Sequence, residues 1–245
     1  MRPRLLDLFC GAGGAGMGYH RAGFDVVGVD IEPQPDYPFE FHQADALVFL
    51  TEHAGEFDAL HGSPPCQAFT PLSALPHAGR RNPVVDLVKP TRDAFIRAGL
   101  PWAIENVVQA PIAHESDLFG SHGVILCGTM FDLTIYRHRK FETSFTVPQP
   151  PHPLHRHLAM RAGYLPTEER PFMSIHGRNG HNSRAWVVAA AAAMGTPWMT
   201  SLNPVCEAIP PAYTEFVGRR LLDALSRFGN DGPASVDTAA NLGIR

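Results

Sequence analysis

Cys66 lies in His61-Gly62-Ser63-Pro64-Pro65-Cys66-Gln67, directly behind the apolar run Phe57-Asp58-Ala59-Leu60. Two successive prolines fix φ and withhold two backbone donors, so the chain is expected to leave a strand as a stiff, exposed loop. Such a loop can hold a thiol at a strand's carboxyl end, where open α/β sheets keep their ligands. A thiolate is the strongest nucleophile among ordinary side chains, and it attacks best when partly exposed and electrostatically activated. A buried cysteine packed as a small hydrophobe is the other reading of the same tripeptide.

A second stretch with chemical potential opens the chain. The apolar run Arg4-Leu5-Leu6-Asp7-Leu8-Phe9 reads as a strand and leads into Cys10-Gly11-Ala12-Gly13-Gly14-Ala15-Gly16-Met17-Gly18. An amphipathic segment then runs to Ala22, and a second strand, Asp25 to Val29, ends at Asp30. Strand, glycine turn, helix, strand and acid make the βαβ unit of a nucleotide-type site. Glycines let the backbone approach a ligand at the helix N-terminus. An acid ending the second strand can accept hydrogen bonds from two ribose hydroxyls. Asp45, in Gln43-Ala44-Asp45-Ala46, falls where the next loop would meet an adenine amine, although capping a helix explains it equally well. The spacing favours an adenosine-bearing ligand over NAD or ATP, since there is no GK[ST] phosphate loop. The glycines taken alone leave a dinucleotide open, because Gly11 to Gly16 does contain G-x-G-G-x-G.

Four blocks occur in order: Asp7-Leu8-Phe9-Cys10-Gly11-Ala12-Gly13-Gly14, Pro64-Pro65-Cys66-Gln67, Ile104-Glu105-Asn106-Val107 and Arg137-His138-Arg139. Together they resemble the DNA (cytosine-5) methyltransferases. A fifth, Glu207 to Gly218, resembles the block that closes that family's catalytic domain, and the resemblance is weak between about 142 and 190. It implies a doubly wound, Rossmann-like α/β core that binds S-adenosylmethionine. It further implies Cys66 as the nucleophile toward cytosine C6, Glu105 against the base N3 and N4, and Asn106 as a residue that helps fix the Glu105 loop. Arg139 is implied to hold the cytosine O2, with Arg137 as its support and a candidate phosphate contact. Phe9, Gly11, Gly13, Gly14, Asp30, Ile31, Asp45, Ala46 and Pro64 are implied to surround the cofactor. Double-stranded DNA is the implied partner, with the target base flipped out of the helix. Gln67 and Thr70 would touch it just past the nucleophile, and Arg80 and Arg81 sit in a Gly- and Pro-punctuated loop suited to gripping phosphate.

The chain departs from the pattern in its middle, where a sizeable recognition domain is usual. The catalytic domain is expected to use residues 1–141 and 186–228, with a small irregular recognition insertion at 142–185 and a flexible tail at 229–245. Residues 137–184 carry eight Arg or Lys against three Glu, in a chain of net charge −4. That local excess reads as a phosphate footprint. Arg178, Asn179 and Arg184, on a Gly-flexible loop, are candidates to read base edges. A second departure is Glu207, where the family more often has a Gly-Asn pair.

The remaining bounds are broad. At 245 residues, 44% hydrophobic and 18% charged, the chain suits a soluble globular protein, expected to be a cytoplasmic monomer. Four widely spaced cysteines suggest neither a disulfide framework nor a zinc site, and the 13 histidines form no HExxH motif, so no metal is expected. No apolar run approaches a membrane span, and the first residues lack a signal-peptide pattern. Val84 to Ala98 reads as a helix that Pro90 breaks or restarts, Trp186 to Met194 as a buried helix, and Glu215 to Phe228 as the final helix. An accompanying restriction enzyme, a catalytically inactive DNA-binding relative and an enzyme of free cytosine nucleotides all remain open readings.

Overall fold

A computed structural model describes residues 1–66, 69, 86–112, 122–175 and 183–231. Seven strands form one sheet: β1 (Arg4–Leu8), β2 (Asp25–Asp30), β3 (Glu40–Gln43), β4 (Ala59–Gly62), β5 (Trp102–Asn106), β6 (His122–Leu126) and β7 (Arg139–Thr143). Their order is β3-β2-β1-β4-β5-β7-β6, with β7 antiparallel to both neighbours and the other pairings parallel. The order reverses beside β1, because β2 lies on one side of it and β4 on the other. In an open α/β sheet that switch point is where loops at the carboxyl ends part to admit a ligand.

Strand side chains alternate between two apolar layers, as the period of two demands. Leu5, Val26, Ala59 and Ala103 face the layer of α1 (Gly14–Ala22) and α6 (Pro211–Asp231), with Tyr19, Tyr213, Val217 and Leu221 at its centre. Leu6, Leu8, Val27, Leu60 and Ile104 face α2 (Ala46–His53) and α3 (Val88–Ala98), whose Leu50 and Phe95 are buried there. A third cluster joins Ala12 of the glycine turn to Ile135, Met173 and Ile175, and to α4 (Arg184–Met194) and α5 (Leu202–Glu207).

Several boundaries differ from the sequence reading, each for a local reason. Helix α3 begins at Val88, so Pro90 sits in the first turn, where its missing N–H has no helical partner to lose. Helix α4 buries one stripe rather than its whole circumference: Trp186, Val187, Ala190, Ala191 and Met194 are inside, while Val188 is 62% exposed. Its N-terminus is capped by Ser183, whose Oγ accepts the Trp186 N–H at 3.2 Å. The final helix starts at Pro211, four residues earlier than expected. Strand β7 continues past residue 141 to Thr143, and Phe145 and Val147 pack in the α1/α6 layer, so the core reaches into the segment read as insertion. Among the described residues no helix is long and apolar enough to cross a membrane.

Candidate active site

The parallel strands β1, β2, β4 and β5 bring Phe9, Asp30, Ser63 and Asn106 to one edge of the sheet. Strand β7 runs the other way, so its first residue, Arg139, starts at that same edge, opposite Leu126 and next to the Asn106–Lys140 pair. This reversal explains how a residue more than thirty positions downstream reaches Glu105.

On the Cys66 side, Asn106 secures the proline loop. Its Nδ2 donates to the Pro64 carbonyl at 2.8 Å, and its Oδ1 accepts the Val107 N–H at 2.9 Å. Asn106 thus ties the end of β5 to the proline loop through a buried bond. Cys66 is half-buried, so the reading of a fully packed thiol does not hold. Burial pushes its thiol up, Arg139 and Arg137 pull it down, and Glu105 opposes them. The resting group is therefore a thiol, with a cationic partner placed to favour the thiolate.

Glu105 is 5% exposed, and burial raises its carboxyl above the ordinary range despite Arg139, Arg137 and a hydrogen bond from Ser63. Arg139 Nε lies 2.9 Å from Glu105 Oε1. That contact is a charge pair without hydrogen-bond alignment, and among the described residues Oε1 has no hydrogen-bond partner. An acceptor left buried in this way is costly unless something fills the place.

Behind Glu105 runs a relay that the sequence reading does not contain. Tyr19 Oη and His61 Nδ1 are 3.0 Å apart, and His61 Nε2 and Ser63 Oγ are 2.9 Å apart. Burial takes His61 down to about 3, so the imidazole is neutral and its 4.0 Å approach to Asp7 is not an ion pair. Because the Ser63 hydroxyl hydrogen goes to Glu105, Ser63 Oγ accepts from His61 Nε2–H, and His61 Nδ1 accepts from Tyr19. The tautomer is thereby set by the chain of donors. The signal available in the sequence is a histidine between apolar strand residues, whose partner Tyr19 is 42 positions away.

Arg137 turns inward. Its guanidinium donates to the carbonyls of Ile175 and Cys206, both at 2.8 Å, and its own carbonyl accepts from the Tyr213 hydroxyl at 2.5 Å. At 7% exposure it faces the interior and not a phosphate. It ties together the start of β7, the segment before α4, and the α5–α6 block.

On the other side of β1, Phe9 and Gly11 adopt positive φ (56° and 49°), and a side chain on Gly11 would meet no atom of the described residues within 4 Å. Gly11 thus opens onto free space at the switch point. Gly13 is the left-handed cap of α1, and a Cβ there would strike Pro38 at 2.6 Å. Gly14 has a different purpose from ligand approach: it lets α1 pack on the Ile209 carbonyl, 2.5 Å from where its Cβ would stand. Asp7 holds this turn from below, accepting from the Gly16 N–H and, at 3.3 Å, from the Tyr37 hydroxyl.

Asp30 accepts from Gly11 N–H and Glu32 N–H, both at 3.0 Å, so its carboxylate braces the glycine turn against β2. Ile31 follows it and is 66% exposed, an apolar ledge at the same edge. Asp45 caps α2 through Oδ1, which accepts from Leu47 and Val48 at 2.9 and 3.1 Å, and Ala46 is buried in its first turn. Of the DNA-facing candidates, Arg184 is exposed at the start of α4. Gln67, Thr70, Arg80, Arg81, Arg178 and Asn179 lie outside the described residues.

No family model matches the chain. It is 29% identical over 152 residues to the type II methyltransferase M.HgiDI of Herpetosiphon aurantiacus, covering 54% of this chain and 47% of that one. The chain thus spans about half the length of this curated relative. Among solved structures, S. pombe Dnmt2 methyltransferase superposes with a TM-score of 0.57 at 15% identity, over 91% of this chain and 99% of that one. A protein described as a putative DNA modification methyltransferase of an E. coli prophage also gives 0.57, at 13% identity and the same coverage. The chain shares the mixed α/β fold of these methyltransferase structures.

Proposed function

We propose that this chain methylates cytosine at C5 in double-stranded DNA with S-adenosylmethionine as methyl donor. The observation that carries the reading is the convergence of the Cys66 loop, Glu105 and Arg139 at one sheet edge, beside the open Gly11 turn. The likeness to a type II methyltransferase supports it. S-adenosylmethionine fits the chain's own features: space over Gly11, the Asp30 carboxylate for its ribose hydroxyls, the exposed Ile31 ledge for its adenine, and the Asp45 region beyond.

Cytosine C5 is a poor nucleophile until a thiolate adds to C6. Cys66 sulfur forms that bond to a base turned out of the duplex, with Arg139 at the base O2. Glu105, kept toward its protonated form by burial, donates to N3 and drains the charge that the thiolate brings. When bound, S-adenosylmethionine supplies the methyl group to C5. Loss of the C5 proton to a base, with return of the N3 proton to Glu105, then expels Cys66 and restores the ring. Ser63 orients the Glu105 carboxyl throughout, and Asn106 keeps the Cys66 loop at the edge.

A methyltransferase of free cytosine nucleotides is the second reading. It is favoured by one observation: of the eight basic residues in 137–184, Arg137 and Lys140 are buried and Arg139 is paired with Glu105, so these three are not free for phosphate. Methylation sequencing of DNA from a methylation-free bacterium expressing the chain, beside a Cys66→Ala control, distinguishes the two. Cytosine C5 marks at one short motif, absent from the control, are expected. Marks at N4, or marks that survive in the control, would remove Cys66 from the chemistry. Unmarked DNA together with turnover of dCMP or dCTP would favour the second reading.

A further inference from the structure

Cys127, His138, His152 and His155 come from three stretches: the residue after β6, the residue before β7, and the proline-rich segment beyond β7. One ligand atom from each lies within 4.8 Å of all the others. Cys127 is buried, His138 half-buried, and His152 and His155 are exposed. We propose that these four residues bind a zinc ion as a structural site of one thiolate and three imidazoles, pinning the segment that follows β7 to the sheet edge that carries Arg139.

The geometry is close to what the metal requires. Cys127 Sγ and His155 Nε2 are 3.3 Å apart, as are His138 Nε2 and His152 Nε2. Tetrahedral zinc, with bonds of about 2.3 Å to sulfur and about 2.0 Å to nitrogen, sets neighbouring ligand atoms roughly 3.3–3.6 Å apart. The rest of the cluster closes through small movements of the two exposed histidines. One thiolate and three imidazoles suit zinc, whereas calcium and magnesium take oxygen ligands. Four protein ligands leave no open position, which makes the site structural rather than catalytic.

Its surroundings are also those of a ligand set. The His138 ring donates to the Tyr136 carbonyl, and Thr129 Oγ1 donates to Cys127 Sγ at 3.4 Å, partners of the kind that orient metal ligands. The segment being pinned is held by individual side-chain and main-chain contacts and not by regular secondary structure. Residues 151–158 are exposed, and no helix or strand lies among the described residues between β7 and α4. Gln149 pairs with both main-chain groups of Ile125, Tyr136 bonds both main-chain groups of His157, and Tyr136 stacks on His155 and Phe172. Small irregular regions of this kind commonly depend on a metal or disulfide staple. Since Leu126 and Arg139 are register partners, the ion would also anchor the end of β7 that presents Arg139.

The test uses the full, untagged chain expressed with zinc and dialysed against metal-free buffer. Elemental analysis is expected to give one zinc per chain, released in step with mercurial modification of thiols. Cobalt substitution is expected to give a tetrahedral spectrum with a thiolate-to-cobalt charge-transfer band, which Cys127→Ser abolishes. His152→Ala and His155→Ala, at exposed positions, should each lower zinc content at least tenfold, while His157→Ala, next to the cluster but outside it, retains the full complement. Wild-type protein without stoichiometric zinc overturns the proposal, as does zinc retained in both histidine variants. The histidine variants decide the matter if Cys127→Ser does not fold. Methylation is not measured, so this result is independent of the proposed reaction.

Discussion

At Cys66 the local charges are in competition, and the balance can be read out directly. Desolvation dominates and holds the thiol above its ordinary value, so the reactive thiolate grows in as pH rises. Alkylation of Cys66 by iodoacetamide in the apo protein should therefore accelerate with a midpoint above that of free cysteine. Arg139→Ala removes an attraction for the thiolate and should move the midpoint up, whereas Glu105→Gln removes a repulsion and should move it down. A midpoint indifferent to both changes would mean that the three side chains do not share one site. Arg137 allows a different test, since two main-chain carbonyls depend on its guanidinium. Arg137→Ala leaves both acceptors buried without partners, at a cost of about 2–4 kcal/mol in chemical denaturation. A loss below about 1 kcal/mol would show that water or neighbours replace it. The residues legible in the sequence are those in short contiguous blocks: Cys66 after its prolines, Glu105 beside Asn106, and Arg139 two positions from Arg137. The Tyr19–His61–Ser63 relay is not, because its bonds join distant positions and a strand histidine gives no sign of what it faces.

Among the elements, the contact of α1 with α6 governs how the glycine turn is presented. Gly18 is where the two helices meet: a Cβ there would lie 2.1 Å from both the Pro211 carbonyl and Thr214 Oγ1, and Thr214 already bonds the Ala15 carbonyl at 2.8 Å. Backbone cannot rotate aside, so Gly18→Ala should cost about 1–3 kcal/mol of overpacking strain. For a domain of this size that lowers the melting temperature by about 2–12 °C. Gly55→Ala is the matched control, since its Cβ would enter open space, and it should stay within about 0.5 kcal/mol of wild type. Equal effects of the two would refute the packing account. The βαβ unit can be read from glycine spacing, yet the division of labour among its glycines cannot, because α6 arrives from the far end of the chain. The start of α3 escapes the sequence for a simpler reason. Apolar periodicity runs across Pro90 without marking the turn in which a proline is harmless.

For the molecule as a whole, the question is whether a chain of net charge −4 can hold a polyanion. The eight basic residues counted in 137–184 are not equivalent: Arg137 is bonded to carbonyls, Arg139 is paired with Glu105, and Lys140 is buried. Those left facing solvent among the described residues are Arg156, Arg161, Arg170 and Arg184, against Glu168 and Glu169. The electrostatic footprint is therefore smaller than the sequence count, and it is concentrated on the segment that the Cys127–His155 cluster would pin. Each phosphate neutralised releases counterions and steepens the dependence of log K on log salt by about 0.9. If Arg156, Arg161 and Arg170 each meet a phosphate, replacing all three by Gln should flatten that slope for a cytosine-containing duplex by about 2.7, three times the single-phosphate value. Affinity for S-adenosylmethionine, measured by calorimetry, should stay at the wild-type value, because none of the three belongs to the elements around the Gly11 turn. An unchanged salt slope would mean that the exposed arginines of this segment do not carry the duplex, and would tip the balance toward a free nucleotide as substrate.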